Sequence, residues 1–192
     1  MRKWDTSSKH YPDGVKTVTQ EYRQWASMRT RCKVGGYKQK DSLAYIGVSC
    51  SEEFSNFDLW LKWAYQQVGF NNLDERGIRW SLDKDYLGYK YYSAETCVFV
   101  PIELNNFLIK STQGRKGLPT GVTHDTSPGR DRYLARCNIK GKQRKVGQSN
   151  TPEGAFAIYK SHKEQEANRL ADKYDGLVDP RVINALRNYV AS

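Results

Sequence analysis

The segment Thr151-Pro152-Glu153 constrains what this chain can fold into more than any other short stretch. A threonine caps a helix with its hydroxyl, and proline suits the first helical position because the N–H it lacks would have no partner there. An acid in the first turn meets the positive end of the helix dipole. Ala155, Ile158, Tyr159 and His162 continue the helical period, which predicts a helix to about Tyr174 with Gly176 as its stop. Ahead of it, Gly121 to Thr123, Tyr133 to Ile139 and Arg144 to Gly147 read as three strands, with Lys140-Gly141-Lys142 as the turn between the last two. After it, Asp179-Pro180 repeats the start signal, and Val182, Ile183, Leu186 and Val190 mark a short amphipathic helix.

The strand period of two divides the middle run into Tyr133, Ala135 and Cys137 on one face and Arg132, Leu134, Arg136 and Asn138 on the other. The first set is suited to pack on the helix, leaving the arginines to solvent. Charge placement matters more here than the formal net charge of +10. Between Arg130 and Lys145, Arg130, Arg132, Arg136, Lys140, Lys142, Arg144 and Lys145 stand against Asp131 alone. A ribbon with that face can enter a DNA major groove, where arginine forks match the guanine N7 and O6 acceptors. Charged strand faces also occur simply as solvated surface that prevents edge aggregation.

The first hundred residues follow different rules. Met1 to Thr19 carries no periodic apolar pattern and reads as a flexible arm. Tyr22, Trp25, Met28 and Cys32 recur at helical spacing over Gln20 to Cys32. Lys33 to Lys40 is a glycine-containing loop, and Ala44 to Val48 is an apolar stretch able to pair as a strand. Ser51 opens a second helix ending at Gly69, with Phe54, Phe57, Leu61 and Ala64 as its buried stripe and Trp60 and Trp63 flanking. From Arg79 to Phe107 the simplest reading is strand, turn, strand, then a short helix from Ile102, and the Gly, Ser, Lys and Pro-rich 110–119 reads as a linker.

Two resemblances give these segments a functional expectation. Gly121-Val122-Thr123, Tyr133-Leu134-Ala135-Arg136, Arg144-Lys145-Val146-Gly147 and Thr151-Pro152-Glu153-Gly154-Ala155-Phe156-Ala157-Ile158-Tyr159 resemble the Apetala/ethylene-response-factor DNA-binding domain. Tyr133 stands where that family usually has tryptophan, and Gly154 where it usually has an acid. The resemblance implies a three-stranded antiparallel sheet in the major groove, backed by one helix, with Arg130, Arg132, Arg136, Lys142 and Arg144 facing double-stranded DNA.

Leu82-Asp83-Lys84-Asp85, Tyr92-Ser93-Ala94-Glu95-Thr96-Cys97 and Asn105-Asn106 resemble the hairpin and helix of phage-encoded HNH homing endonucleases. That implies a ββα-type module hydrolysing DNA phosphodiesters with Mg²⁺ or Mn²⁺ held by Asp83 and Asn105, Asn106 being a substitute for the latter. Lys84 occupies the general-base histidine position, and an ordinary lysine is protonated at neutral pH. Base work then falls to Asp85 through water or to Tyr91 or Tyr92. Without the resemblance, Asp-Lys-Asp is an ordinary charged turn and Asn105-Asn106 a helix terminus.

The fold class expected is α+β: an arm over 1–19, a helical and degenerate HNH-like module over 20–109, a linker over 110–119, an Apetala-like domain over 120–176 and a terminal helix over 177–192. No apolar run approaches the roughly 20 residues a spanning helix needs, and the N-terminus has no signal-type apolar region, so a cytoplasmic protein of a phage-infected bacterium is expected, with no membrane partner. Cys32, Cys50, Cys97 and Cys137 read as reduced thiols; the alternative is that the first three converge on a structural zinc, which their long spacings do not favour. Functionally the chain reads as a site-specific endonuclease or, alternatively, a catalytically silent DNA-binding regulator. RNA binding through stacked tyrosines ranks third, because the basic face is strand-borne and poor in aromatics.

Overall fold

The structure, a computed structural model, describes residues 18–36, 38, 45–108, 117–139 and 142–192. Residues 1–17 of the expected arm, Ala44 of the expected strand, most of the 110–119 linker and the Lys140-Gly141 part of the expected turn lie outside the described residues. The class is α+β, with six helices and three small sheets among the described residues. The chain divides into two compact units, Met1–Pro101 with Leu177–Asp179, and Ile102–Gly176 with Pro180–Ser192. The seam in the first half thus falls just before the Ile102 helix, ahead of the expected linker.

In the first unit, α1 (Gln20–Cys32) begins where the Thr19 hydroxyl accepts from the Tyr22 N–H, and it buries Trp25 and Met28 as its spacing predicts. The second predicted helix is two helices. Asn56 is extended (φ −101°, ψ 127°), ending α2 (Glu52–Ser55) and capping α3 (Phe57–Ala64) by accepting from the Asp58 and Leu59 N–H groups. An asparagine that can satisfy two orphan donors competes with helix continuation, and here it wins. The break turns Trp60 fully inward, so it belongs to the core rather than flanking it. Rings then interlock at centroid spacings of 5.2 Å for Tyr22–Phe57, 5.7 Å for Trp60–Phe70 and 5.2 Å for Phe70–Phe99. Burying each such side chain contributes about 1.5–3 kcal/mol.

Strands in this unit are short. Of the expected Ala44 to Val48 strand, the described part from Tyr45 to Val48 forms no strand; β1 (Ser49–Cys50) follows it and runs parallel to β3 (Tyr91–Tyr92). β2 (Ser81–Asp83) pairs antiparallel with β4 (Val98–Val100), placing Asp83 opposite Val98. A single 3₁₀ turn, Asp85–Leu87, follows β2.

The second unit matches its sequence pattern closely. It begins with α4 (Ile102–Leu108) and continues with a three-stranded antiparallel sheet in the order β5 (Val122–Asp125), β6 (Arg132–Ile139), β7 (Lys142–Ser149). The helix α5 (Pro152–Tyr174) starts where Thr151 Oγ1 accepts from the Gly154 N–H at 3.1 Å. Ala135 and Cys137 of β6 bury against Tyr159, joined by Ile139, Val146, Phe156 and Ile158. Gly121 holds a φ of +75° and lies flat against the Tyr159 ring, so a side chain there would meet both steric strain and that ring. The last helix, α6 (Pro180–Arg187), buries Val182 and Leu186 and is tied to α5 by the Arg187–Asp172 ion pair at 2.5 Å. Val190, expected on that buried stripe, lies past the helix end and is exposed.

Candidate nucleic-acid interface

Directly opposed residues of antiparallel strands share a face, so the register fixes which side chains look away from α5. Ala135, opposite Val122 and Gly147, faces the helix. The other face carries Asp125 opposite Arg132, Thr123 opposite Leu134, Leu134 opposite Gln148, Arg136 opposite Lys145 and Asn138 opposite Gln143. Arg132 and Arg136 therefore stand on the outer face, as the strand period predicts. Four residues at about 3.3 Å each put their Cα atoms roughly 13 Å apart, comparable to a major-groove width.

Their partners differ. Arg132 Nε lies 3.3 Å from Asp125 Oδ2. The Ser127 hydroxyl and backbone N–H, with Arg132 beside them, hold the Asp125 carboxyl below the usual aspartate range. Arg136 Nε donates to Thr123 Oγ1 at 3.2 Å, and Lys145 Nζ donates to Gln148 Oε1 at 2.6 Å. Neither has a described carboxylate partner, although the two are cross-strand neighbours.

Lys142 and Arg144 are exposed, but the register sets them opposite Ile139 and Cys137, on the helix side of the sheet. The cause is a bulge: Ala135 pairs with Gly147 and Arg136 with Lys145, leaving Val146 as the extra residue. Val146 packs into the core, and Gly147 passes so close to Ile158 that a Cβ would collide with it. Lys145 and Gln143 thereby take the outer positions that period-two counting gives to Lys142 and Arg144. A lone glycine inside a strand pattern is the sequence signal for such a bulge. Arg130 sits in a turn, its N–H donating to Ser127 O at 2.8 Å, with its side chain exposed. At the neighbouring sheet end His124 stacks on Tyr133 at 4.5 Å and meets Asp131 Oδ1 at 2.6 Å.

The residues singled out for hydrolysis are arranged differently. Asp83 is 7 % exposed, and its Oδ1 accepts from the Asp85 and Tyr86 N–H groups at 2.8 and 3.0 Å, closing the 3₁₀ turn. Burial pushes its carboxyl upward, opposed by those two N–H groups. Lys84, 3 % exposed, reaches Asp85 Oδ1 at 2.5 Å and lies 5.6 Å from the centre of the Tyr92 ring. Tyr92 is buried with its hydroxyl accepting from Arg31 Nη1 at 3.2 Å; burial raises its phenol well above the usual range. A base must reach water, and a phenol so placed does not. Tyr91 is the exposed one of the pair.

Thr96 closes the turn ahead of β4, accepting from the Ser93 N–H at 2.9 Å. Asn105 and Asn106 lie half-buried on α4, in the second unit, whereas Asp83 belongs to the first. Asp83 and Asp85 alone make a poor divalent-cation cradle, since each has one carboxylate oxygen committed, Asp83 to backbone N–H groups and Asp85 to the Lys84 ammonium. Among the described residues no group of three or more His, Cys, Asp or Glu is arranged to hold a metal ion, the suggested Cys32, Cys50 and Cys97 set included. No described helix is long and apolar enough to cross a membrane.

Comparison with protein-family models, with curated proteins and with solved structures returned no match.

Proposed function

We propose that this chain binds double-stranded DNA through the outer face of the β5–β6–β7 sheet. The observation that carries this reading is the Arg136–Lys145 pair: two cations directly opposed across strands, each hydrogen-bonded only to neutral groups in the described contacts. Like charges so placed disfavour the sheet by about 0.2–1 kcal/mol. A polyanion removes that cost and gains counterion release for each phosphate it neutralises. Arg132, Asn138, Gln143 and Gln148 extend the same face with groups that hydrogen-bond base edges or phosphates. The inward-turned charges around Asp83 and Lys84 favour binding without cleavage, as in a regulator or a competitor for a site.

A second reading, metal-dependent phosphodiester hydrolysis, draws support from one observation. Asp83 ends a strand that pairs antiparallel with β4, and β4 leads directly in sequence to α4 with Asn105. In that reading Asp83 would be a ligand to Mg²⁺ or Mn²⁺, which would polarise the phosphate.

One experiment separates them. The full chain is titrated onto labelled duplex DNA of phage and host origin by fluorescence anisotropy across a salt series, and the same samples with Mg²⁺, Mn²⁺ or chelator are run on denaturing gels. Salt-sensitive binding with intact strands supports the regulator. Metal-dependent cleavage lost in Asp83→Ala supports the enzyme. No binding to duplex at low salt removes both.

A further inference from the structure

The outer sheet face carries two arginines on β6, and β5 fastens each of them by the same atom. Arg132 lies directly opposite Asp125 and donates from Nε to Asp125 Oδ2 at 3.3 Å. Arg136 donates from Nε to Thr123 Oγ1 at 3.2 Å. Among the described residues neither guanidinium makes a hydrogen bond through its Nη atoms. With Nε taken, the end of the fork, Nη1 and Nη2 together, is the bidentate edge that remains.

The latch on Arg132 is itself anchored. Asp125 Oδ1 accepts from the Ser127 hydroxyl at 2.7 Å and from the Ser127 N–H at 3.3 Å, which leaves Oδ2 for the arginine. The Asp125 and Arg132 side chains are 14 % and 28 % exposed, so both are partly packed. Asp125 is also the one acid in the described register of that face. A carboxylate there repels phosphate oxygens and so weakens Arg132 as a backbone contact. What it provides is orientation, because a planar guanidinium fixed beforehand loses less freedom on meeting a rigid pair of acceptors. A phosphate makes no such demand, since a lysine ammonium serves it as a point charge. The major-groove edge of guanine does, because N7 and O6 are two acceptors at a fixed spacing.

Resting on the reading of this face as a duplex interface, we infer that Asp125 is a positioning residue that aims the Arg132 fork at N7 and O6 of one guanine. The Asp125–Arg132 row thereby determines base choice. Arg136 and Lys145, bonded to the neutral Thr123 and Gln148 side chains, supply backbone affinity instead. Binding strength and sequence preference are carried by different rows of one sheet, two residues apart from the intervening Leu134 on either side. Removing the acid therefore has opposite effects on the two properties: affinity for arbitrary duplex holds or rises, while discrimination falls.

The test equilibrates the full chain with a duplex library randomised at its centre and sequences the bound fraction. Anisotropy titrations then compare the enriched duplex, an unrelated duplex, and the enriched duplex with its selected guanine replaced by 7-deazaguanine, which pairs normally but lacks the N7 acceptor. The wild-type chain should enrich a fixed guanine and lose affinity on the order of tenfold on that replacement. Asp125→Ala should bind the unrelated duplex as tightly as wild type or more so, with the loss on replacement reduced to about threefold or less. Asp125→Asn, which keeps an oxygen to accept from Ser127 but no charge for Arg132, should behave alike and serves if the alanine variant fails to fold by circular dichroism. Arg132→Ala should abolish the loss, and adding Asp125→Ala to it should change base preference no further. Arg136→Ala should weaken all three duplexes together and leave the preference intact. Duplex binding with no enriched guanine, or a loss undiminished in both Asp125 variants, would overturn the inference, leaving an ordinary surface ion pair on a duplex interface that still stands. No duplex binding at low salt would remove the interface and this inference with it.

Discussion

The outer sheet face of the second unit and the Asp83–Tyr92 cluster of the first are built from the same kinds of side chain and treat them in opposite ways. On the sheet, half-buried Arg136 and exposed Lys145 stand across from one another with hydrogen bonds to the neutral Thr123 and Gln148 side chains. In the cluster, Lys84 is turned inward onto Asp85, Asp83 closes a turn, and Arg31 is spent on the Tyr92 hydroxyl. Charges of the first kind add little to folding and remain free to meet a polyanion. Charges of the second kind have their electrostatics satisfied internally, so their removal registers first in stability. The difference follows from strand geometry: a sheet backed on one side by a helix leaves its other face wet, whereas a buried turn must satisfy every polar group it contains.

That contrast can be broken by mutation. The largest expected effect is on the sheet, where Arg136→Ala combined with Lys145→Ala should weaken duplex binding on the order of 100-fold at low salt, equivalent to about 2.7 kcal/mol. It should also flatten the slope of log affinity against log salt by roughly 2. The melting temperature should hold or rise slightly, and a fall in both affinity and stability would mean that the pair belongs to the fold instead. Lys142→Ala with Arg144→Ala, on the helix side of the register, should cost clearly less affinity in the same titration.

Next comes Asp83→Ala, expected to destabilise the chain by about 1–2 kcal/mol in urea unfolding through loss of two hydrogen bonds at the turn. Asp83→Asn sharpens this, because its amide oxygen still accepts. Burial raises the folded pKa of Asp83, so the folded state binds the extra proton. Its contribution to stability is fully present below the unfolded aspartate range and declines as pH rises through the raised folded value. Asp83→Asn should remove that decline, and an unaltered pH profile would show the carboxylate to be ordinarily solvated.

Glu103 supplies a paired but partly exposed control from the second unit, accepting from Lys173 Nζ at 2.6 Å and the Tyr174 hydroxyl at 2.7 Å, with Arg169 at 3.2 Å. Burial works against its ionised form, but these donors together outweigh it and hold the carboxyl below the usual glutamate range. The stability it contributes is present above the unfolded glutamate value and lost as pH falls through the folded one. Glu103→Gln should cost about 1 kcal/mol at neutral pH, less in acid, and leave DNA affinity unchanged. The smallest effect is expected for Lys84→Met, roughly 0–1 kcal/mol, because Asp85 is 62 % exposed and water replaces the lost ammonium. A cost several times larger would show that Lys84 organises the turn as strongly as Asp83 does.

Much of the second unit was legible in the residues because its signals are local. Thr151-Pro152-Glu153 sets a helix start by capping chemistry within one turn, and the alternation from Tyr133 to Ile139 chooses a face within one strand. The first unit was less legible where two local preferences compete. Asn56 lies inside an apolar helical period yet caps a new helix, and only the packing of Trp60 into the aromatic core shows which preference prevails.

By itself the sequence determined that a long helix would close behind three strands and that cations would accumulate on those strands. Tertiary structure decided which cations look outward, because the bulge at Val146 shifts the parity of every residue before it on β7, exchanging Lys145 for Arg144. It also decided that Asp83, Lys84 and Tyr92 turn inward, since burial depends on what packs over a turn. A strand period repeats every two residues regardless of context, whereas a bulge and a buried turn exist only once a partner strand and a core have closed around them.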